Sequence, residues 1–217
     1  MMKLYSFWRS LATLRVRIAL NLKGVDYEQI NVDLNAGQQM RPEYKAINPQ
    51  MVLPALIDGD RPVLFQSMAI LEYLDERFPD PPLLPKDLAG RARVRGLAQI
   101  SVADAHPLIT PRIRGYLETE FGLAEPARLK WVRHWLGTGL AAVECHLVDD
   151  RESGRFCHGD TLSIADICLA GNVMGFRLFE GDLTPYPAVA RVVDRCMELE
   201  AFQRAQPLRQ PGAPKPA

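Results

Sequence analysis

Three short stretches hold residues whose types and spacing could do chemistry. The first is Arg9-Ser10-Leu11-Ala12-Thr13-Leu14-Arg15, which leads from a strand-like segment into helical spacing. A loop that feeds a helix N-terminus combines hydroxyl donors with positive potential, a setting that stabilises an anion or a thiolate. Ser10 and Arg9 are the candidates there, with Thr13 as a backup donor whose plainer role is to cap the helix. The second stretch is Gln66-Ser67 at a strand-to-helix junction. Ser67 is a natural N-cap, and the amides behind it form a local anion site. The third is Leu53-Pro54, just ahead of a hairpin strand. Gln39 lies in a polar loop and would be unremarkable without further context.

Other chemistries find little support. The four cysteines, Cys145, Cys157, Cys168 and Cys196, all lie in the second half. They form no CxxC pair and no metal-like spacing with the four histidines, so reduced thiols and no metal are expected. Lys plus Arg and Asp plus Glu are both 26, which leaves no general basic field for nucleic acid or anionic lipid. No apolar run approaches the roughly 20 residues of a membrane span. Arg9, Arg15 and Arg17 interrupt the N-terminal apolar residues, which argues against a signal peptide. These features together point to the cytoplasm.

The elements that must position these residues can be read from period and punctuation. A strand at 3–7 precedes a helix at 13–23 that stops at Gly24, where a left-handed cap is wanted. A strand at 26–32, a weaker helix at 42–47, a hairpin of 53–58 with 63–65 turning at Gly59-Asp60, and a helix at 68–78 follow. The order βαβ then αββα is that of a thioredoxin-like half-domain, placed at 1–79. Pro79-Asp80-Pro81-Pro82-Leu83-Leu84-Pro85 cannot continue a helix and reads as a linker. Helical spacing then recurs at 90–105, 112–120, 126–148, 163–178 and 186–199, giving an all-α domain at 88–210. A proline-rich tail of little apolar content occupies 206–217. Ser163-Ile164-Ala165-Asp166 is a capping box with Asp in place of Glu, assigned to folding. Trp131 and Trp135, four apart on a helix, read as packing.

LYSFWRSLATLRVRIALNLKGVDYE, AINPQMVLPAL, LFQSMAILEYLDERFPDPPLLP, LSIADICLA and DLTPYPAVARV resemble, in order and across nearly the whole chain, the zeta-class glutathione transferases. That class includes the maleylacetoacetate and maleylpyruvate isomerases. The resemblance implies the glutathione transferase fold, an α/β thioredoxin-like N-terminal domain followed by an all-α helical domain, with glutathione as cofactor. It implies a cis Pro54 that lets the Leu53 backbone pair with the cysteinyl part of glutathione. It places the γ-glutamyl carboxylate at Gln66 and Ser67, the glycyl end at Gln39, and Ser10 beside the thiol. Asp104 and His106 match residues that approach glutathione from a neighbouring subunit, so a homodimer is implied. Arg9, Arg112 and Arg177 are the arginines implied for substrate carboxylates. Two departures stand out. Many members carry Ser-Ser-Cys-Ser where this chain has Ser10-Leu11-Ala12-Thr13, and Leu178 stands where an arginine is usual.

The implied reaction adds glutathione thiolate to the cis double bond of an enone dicarboxylate, lets the new single bond rotate, and eliminates to the trans alkene. Glutathione is returned unchanged, and the setting would be aromatic-compound breakdown. A second reading is conjugation of glutathione to electrophiles or dehalogenation of small haloacids, favoured by the loss of serine, cysteine and arginine at the departing positions. A third is a non-catalytic binding module, against which stands the whole set of Ser10, Gln39, Pro54, Gln66 and Ser67.

Overall fold

The computed structural model describes residues 1–214 of the 217. The chain divides into two compact units, Met1–Pro82 together with the segment from Leu199 onward, and Leu83–Glu198.

In the first unit, β1 (Met2–Ser6) and β2 (Tyr27–Asn31) run parallel, which requires a crossover. Helix α1 (Leu11–Leu22) is that crossover. After a 3-10 turn at Gln38–Met40 and α2 (Pro42–Ile47), β3 (Ala55–Asp58) pairs antiparallel with β1 and with β4 (Leu64–Phe65). The sheet order is β2-β1-β3-β4, so β1 is internal and delivers the Arg9–Ser10 loop from the middle of the sheet. Gly59 takes the left-handed conformation (φ 59°) that the hairpin turn needs. Helix α3 (Ser67–Arg77) completes the expected pattern.

Helix α1 starts at Leu11, two residues before the expected 13, because Ser10 is its N-cap. It ends at Leu22, and Gly24 (φ 62°) supplies the left-handed residue beyond it. Nearly every side chain from Leu11 to Leu20 is buried, Arg15 and Arg17 among them. A helix covered on all sides must have neighbours on all sides. Beyond the sheet these are α3 and a short C-terminal helix that the periodicity did not indicate, introduced below as α9.

The second unit is helical. Helix α4 (Leu88–Gln99) runs into a π-helical segment, Ile100–Ala105, and a 3-10 segment, His106–Ile109. The sequence reading took 90–105 as one helix, since one extra residue per turn scarcely alters a short apolar pattern. Helices α5 (Pro111–Thr119), α6 (Glu125–Asp149), α7 (Ile164–Leu178) and α8 (Pro187–Met197) follow. Helix α7 is buried almost throughout and touches α4, α6 and α8. The expected capping box opens it. Asp166 accepts from the Ser163 amide and hydroxyl at 2.8 Å each, and also from the Cys157 amide at 2.7 Å. Trp131 and Trp135 pack edge-to-face at 5.6 Å, and Trp131 Nε1 donates to Leu108 O at 2.8 Å, pinning the 3-10 segment.

Helix α9 (Glu200–Ala205) rejoins the first unit and packs on α1, where Asn21 Nδ2 donates to Ala201 O at 2.9 Å. The sequence reading carried the helical domain to residue 210, whereas residues from Leu199 cluster with the first unit. Of the proline-rich tail, Pro207–Arg209 forms a 3-10 turn, and residues 215–217 lie outside the described residues. Among the described residues no helix is long and apolar enough to cross a membrane.

Candidate active site

The loop from β1 into α1 is built around Ser10. Its amide donates to Phe7 O at 3.0 Å, closing the turn. Its Oγ accepts from the Thr13 amide at 3.3 Å and from Thr13 Oγ1 at 2.9 Å. A hydroxyl oxygen has two acceptor sites, and Thr13 fills both. The Ser10 proton is therefore left to donate outward, beside the positive end of α1. Thr13 is fully buried while Ser10 is part-exposed, so the pair has an inner member that orients and an outer member that can meet a ligand. Leu11 and Ala12, which stand where serine and cysteine are common, are both buried.

Arg9 is held beside this loop. Its Nη2 donates to Asn35 Oδ1 at 2.6 Å, and its guanidinium lies 5.8 Å from the ring centres of Phe7 and Trp8. Asn35 is itself fixed by Asp33, whose Oδ1 accepts its amide at 2.8 Å. The turn carrying Gln39 follows at once, tied by the Asp33 amide donating to Gln38 Oε1 at 2.8 Å. Gln39 Oε1 is buried and has no hydrogen-bond partner among the described residues.

Leu53 packs with Phe7, Val32 and Tyr44 in one apolar cluster. The Val52 carbonyl accepts from Tyr44 Oη and from Asn48 Nδ2, both at 2.8 Å, which fixes the backbone entering Leu53. Burial pushes the Tyr44 phenol up, so it stays a neutral donor. The Leu53–Pro54 bond is cis, as the resemblance implies, and Asp80–Pro81 is a second cis bond.

At the head of α3 the structure corrects the assignment of the cap. Gln66 is the N-cap, with φ 67°, and Ser67 is the first helical residue. Among the described residues no side-chain cap hydrogen bond forms at this helix, so its first amides remain available to an anion. The Ser67 hydroxyl accepts from Arg15 Nη1 at 3.2 Å, and Arg15 is completely buried. A positive φ at a glutamine is sparsely populated.

The remaining candidates lie in the second unit. Asp104 is exposed on the π-helical segment, and His106 opens the 3-10 segment, part-buried. Arg112 is exposed in the first turn of α5, an end of a helix where the dipole disfavours a cation. Arg177 sits in the last turn of α7 with its Nη2 3.5 Å from Asp194 Oδ1 on α8, which gives it a structural partner. The four cysteines are free thiols, and among the described residues no group of three or more His, Cys, Asp or Glu could hold a metal ion.

Sequence reasoning missed Arg15 and Arg17, which it took only as interruptions of an apolar run. Arg17 Nη1 donates to Ser6 Oγ at 3.1 Å and Phe7 O at 3.3 Å, Nη2 to Trp8 O at 3.2 Å, and Nε to Ala205 O at 3.2 Å. Burial lowers its pKa to about 10, so it is a cation at neutral pH. The available signal was a helix apolar on every side whose only charges are arginines.

The family model for the N-terminal domain of glutathione S-transferases matches residues 1–76. A maleylpyruvate isomerase of Ralstonia sp. is 48% identical over 97% of this chain and 99% of its own. A holo maleylpyruvate isomerase structure, described as a bacterial zeta-class glutathione transferase, superposes with a TM-score of 0.95 at 46% identity, covering 98% of this chain and all of that one. A maleylacetoacetate isomerase from Methylobacterium extorquens AM1, solved with malonate and glutathione bound, gives 0.96 at 48% identity over 98% of this chain and all of that one. The chain belongs to the zeta class of the glutathione S-transferases, the family of the maleylpyruvate and maleylacetoacetate isomerases.

Proposed function

We propose that this protein is a glutathione-dependent cis–trans isomerase of maleylpyruvate or maleylacetoacetate, working in aromatic-compound breakdown. The observation that carries the proposal is the Ser10 hydroxyl, with both acceptor sites filled by Thr13 and its proton free at the head of α1. A cysteine thiol with an ordinary pKa of about 8.5 needs such a donor to react as thiolate at neutral pH.

Glutathione lies along the first unit in this reading. The γ-glutamyl carboxylate takes the uncapped amides of α3 beside Gln66 and Ser67, with Arg15 behind them. The Leu53 backbone pairs with the cysteinyl part next to Pro54, and Gln39 meets the glycyl end. Ser10 donates to the thiolate as it adds to the cis double bond and again as it leaves. Rotation about the intervening single bond converts cis to trans, and glutathione is released unchanged. Arg9 holds a substrate carboxylate, an ion pair suited to its planar fork. Arg112 supplies a second charge, which the α5 dipole leaves better matched to a bound anion than to the helix. Arg177, engaged by Asp194, contributes less. A homodimer in the cytoplasm, with Asp104 and His106 directed to the glutathione of the neighbouring subunit, completes the reading.

The test mixes protein with maleylpyruvate, with and without glutathione, and follows the cis enone while titrating free thiol. Conversion to the trans isomer only with glutathione, at constant free thiol, is expected. Thiol consumption without trans product would overturn the isomerase reading in favour of conjugation.

A further inference from the structure

Arg17 is a fully buried cation of the first unit whose four hydrogen bonds all end on neutral oxygens. Its side chain is 0% exposed, and its acceptors are Ser6 Oγ and the carbonyls of Phe7, Trp8 and Ala205. Among the described residues no carboxylate forms an ion pair with it. Tyr27 faces it from β2, and burial raises that phenol's pKa, so no anion forms there at neutral pH. Arg204 on α9 also acts on Tyr27 and adds positive charge. Burying an unpaired cation is costly, and a simple core role would be met by methionine or leucine.

The position of the charge suggests what offsets that cost. Phe7 O accepts both from Arg17 Nη1 and from the Ser10 amide, so one carbonyl joins the guanidinium to the turn that carries Ser10. Trp8 O, in the same turn, accepts from the other terminal nitrogen. The far side of the fork is held by Ala205 O at the C-terminus of α9, where a cation suits the helix dipole. The guanidinium is thus fixed at both ends, directly beneath the Arg9–Ser10 loop.

Resting on the glutathione site described above, we infer that Arg17 is a positioning residue for the thiolate, acting through the Ser10 turn and supplying buried positive charge beneath it. The guanidinium is one shared carbonyl away from the Ser10 amide, which puts a thiol beyond the Ser10 hydroxyl on the order of 10 Å from the charge. At that separation and an effective dielectric of about 20, one unit charge is worth about one pKa unit to a thiol. Helix α9 becomes a working part of the site, since its last carbonyl holds the guanidinium in place.

The experiment measures the thiol pKa of glutathione bound to saturating protein, from thiolate ultraviolet absorbance against pH, in wild type, Arg17→Met and Arg17→Lys. Calorimetry establishes glutathione binding for each. Arg17→Met is expected to bind glutathione with the thiol pKa raised by about one unit, and Arg17→Lys to stay near wild type because the charge remains. Should Arg17→Met fail to fold, Arg17→Gln removes the charge while keeping amide donors for the turn, and the same rise is expected. Unchanged pKa values in the neutral variants, or an equal rise in the lysine variant, overturn the inference, the latter because the role is then structural. Failure of the wild type to bind glutathione in the calorimeter instead overturns the reading of the site itself.

Discussion

Ser10 caps α1 through its oxygen, and its proposed second task is to donate its proton to the bound thiol. Alanine there removes both. Ser10→Ala is expected to lower isomerase kcat by about 10²–10³-fold, the usual effect of losing one donor to a developing anion. Its stability should fall by about 1 kcal/mol for the lost cap, measured by turnover and by thermal unfolding. Arg9 should behave differently, because its proposed partner is the substrate and it lies outside the proposed glutathione contacts. Arg9→Ala is expected to raise KM for the dicarboxylate by about 10–100-fold, the worth of one charged hydrogen bond, with glutathione affinity kept. Asn35→Ala should raise KM in the same direction but by less, since it only releases the Arg9 fork. An equal loss of glutathione affinity in either variant would move Arg9 out of the substrate role.

Helix α7 shows how a cap fixes an element of the second unit. Asp166 is fully buried and joins the Ser163 cap to the Cys157 amide. Asp166→Ala leaves three donors without an acceptor, and a loss of about 2–4 kcal/mol in chemical unfolding is expected. The loop that supplies Cys157 is secured from α4, where Arg93 reaches Asp150, the Cys157 carbonyl and Ser153 Oγ. The Asp150 carboxyl is held below its ordinary range, first by the Glu152 amide and next by Arg93. A carboxylate with a depressed pKa stabilises the fold above its unfolded pKa and loses that contribution as pH falls through the folded one. Asp150→Asn should therefore lower the melting temperature at neutral pH and flatten its decline on acidification. The capping box was legible because it depends on four consecutive residues. The π-helical segment carrying Asp104 was not, because it is set by packing against α6 and α7 and leaves no separate period.

Removal of the chain from Leu199 tests how far the C-terminus belongs to the glutathione-binding unit. Loss of α9 would expose α1, free Asn21 and strip Arg17 of Ala205 O. A truncation after Glu198 is expected to lower both the melting temperature and the glutathione affinity, checked by calorimetry. Its full retention of both would reduce α9 to an appendage. The sequence alone was sufficient for the thioredoxin-like order of strands and helices, the proline-rich break, the helical second half and the motif positions, because period, caps and turn residues are local. Short blocks that keep their order also brought forward Ser10, Leu53, Pro54, Gln66 and Ser67 as candidates, and the resemblance added Gln39. Long-range packing settled the rest. It made Thr13 the partner of Ser10, moved the cap of α3 to Gln66, and enclosed Arg15 and Arg17 beneath the two proposed anion positions. It also brought α9 back across 180 residues to Asn21. Hydrogen bonds between residues distant in sequence form only when the core closes, and no local pattern records which oxygen a buried guanidinium will find.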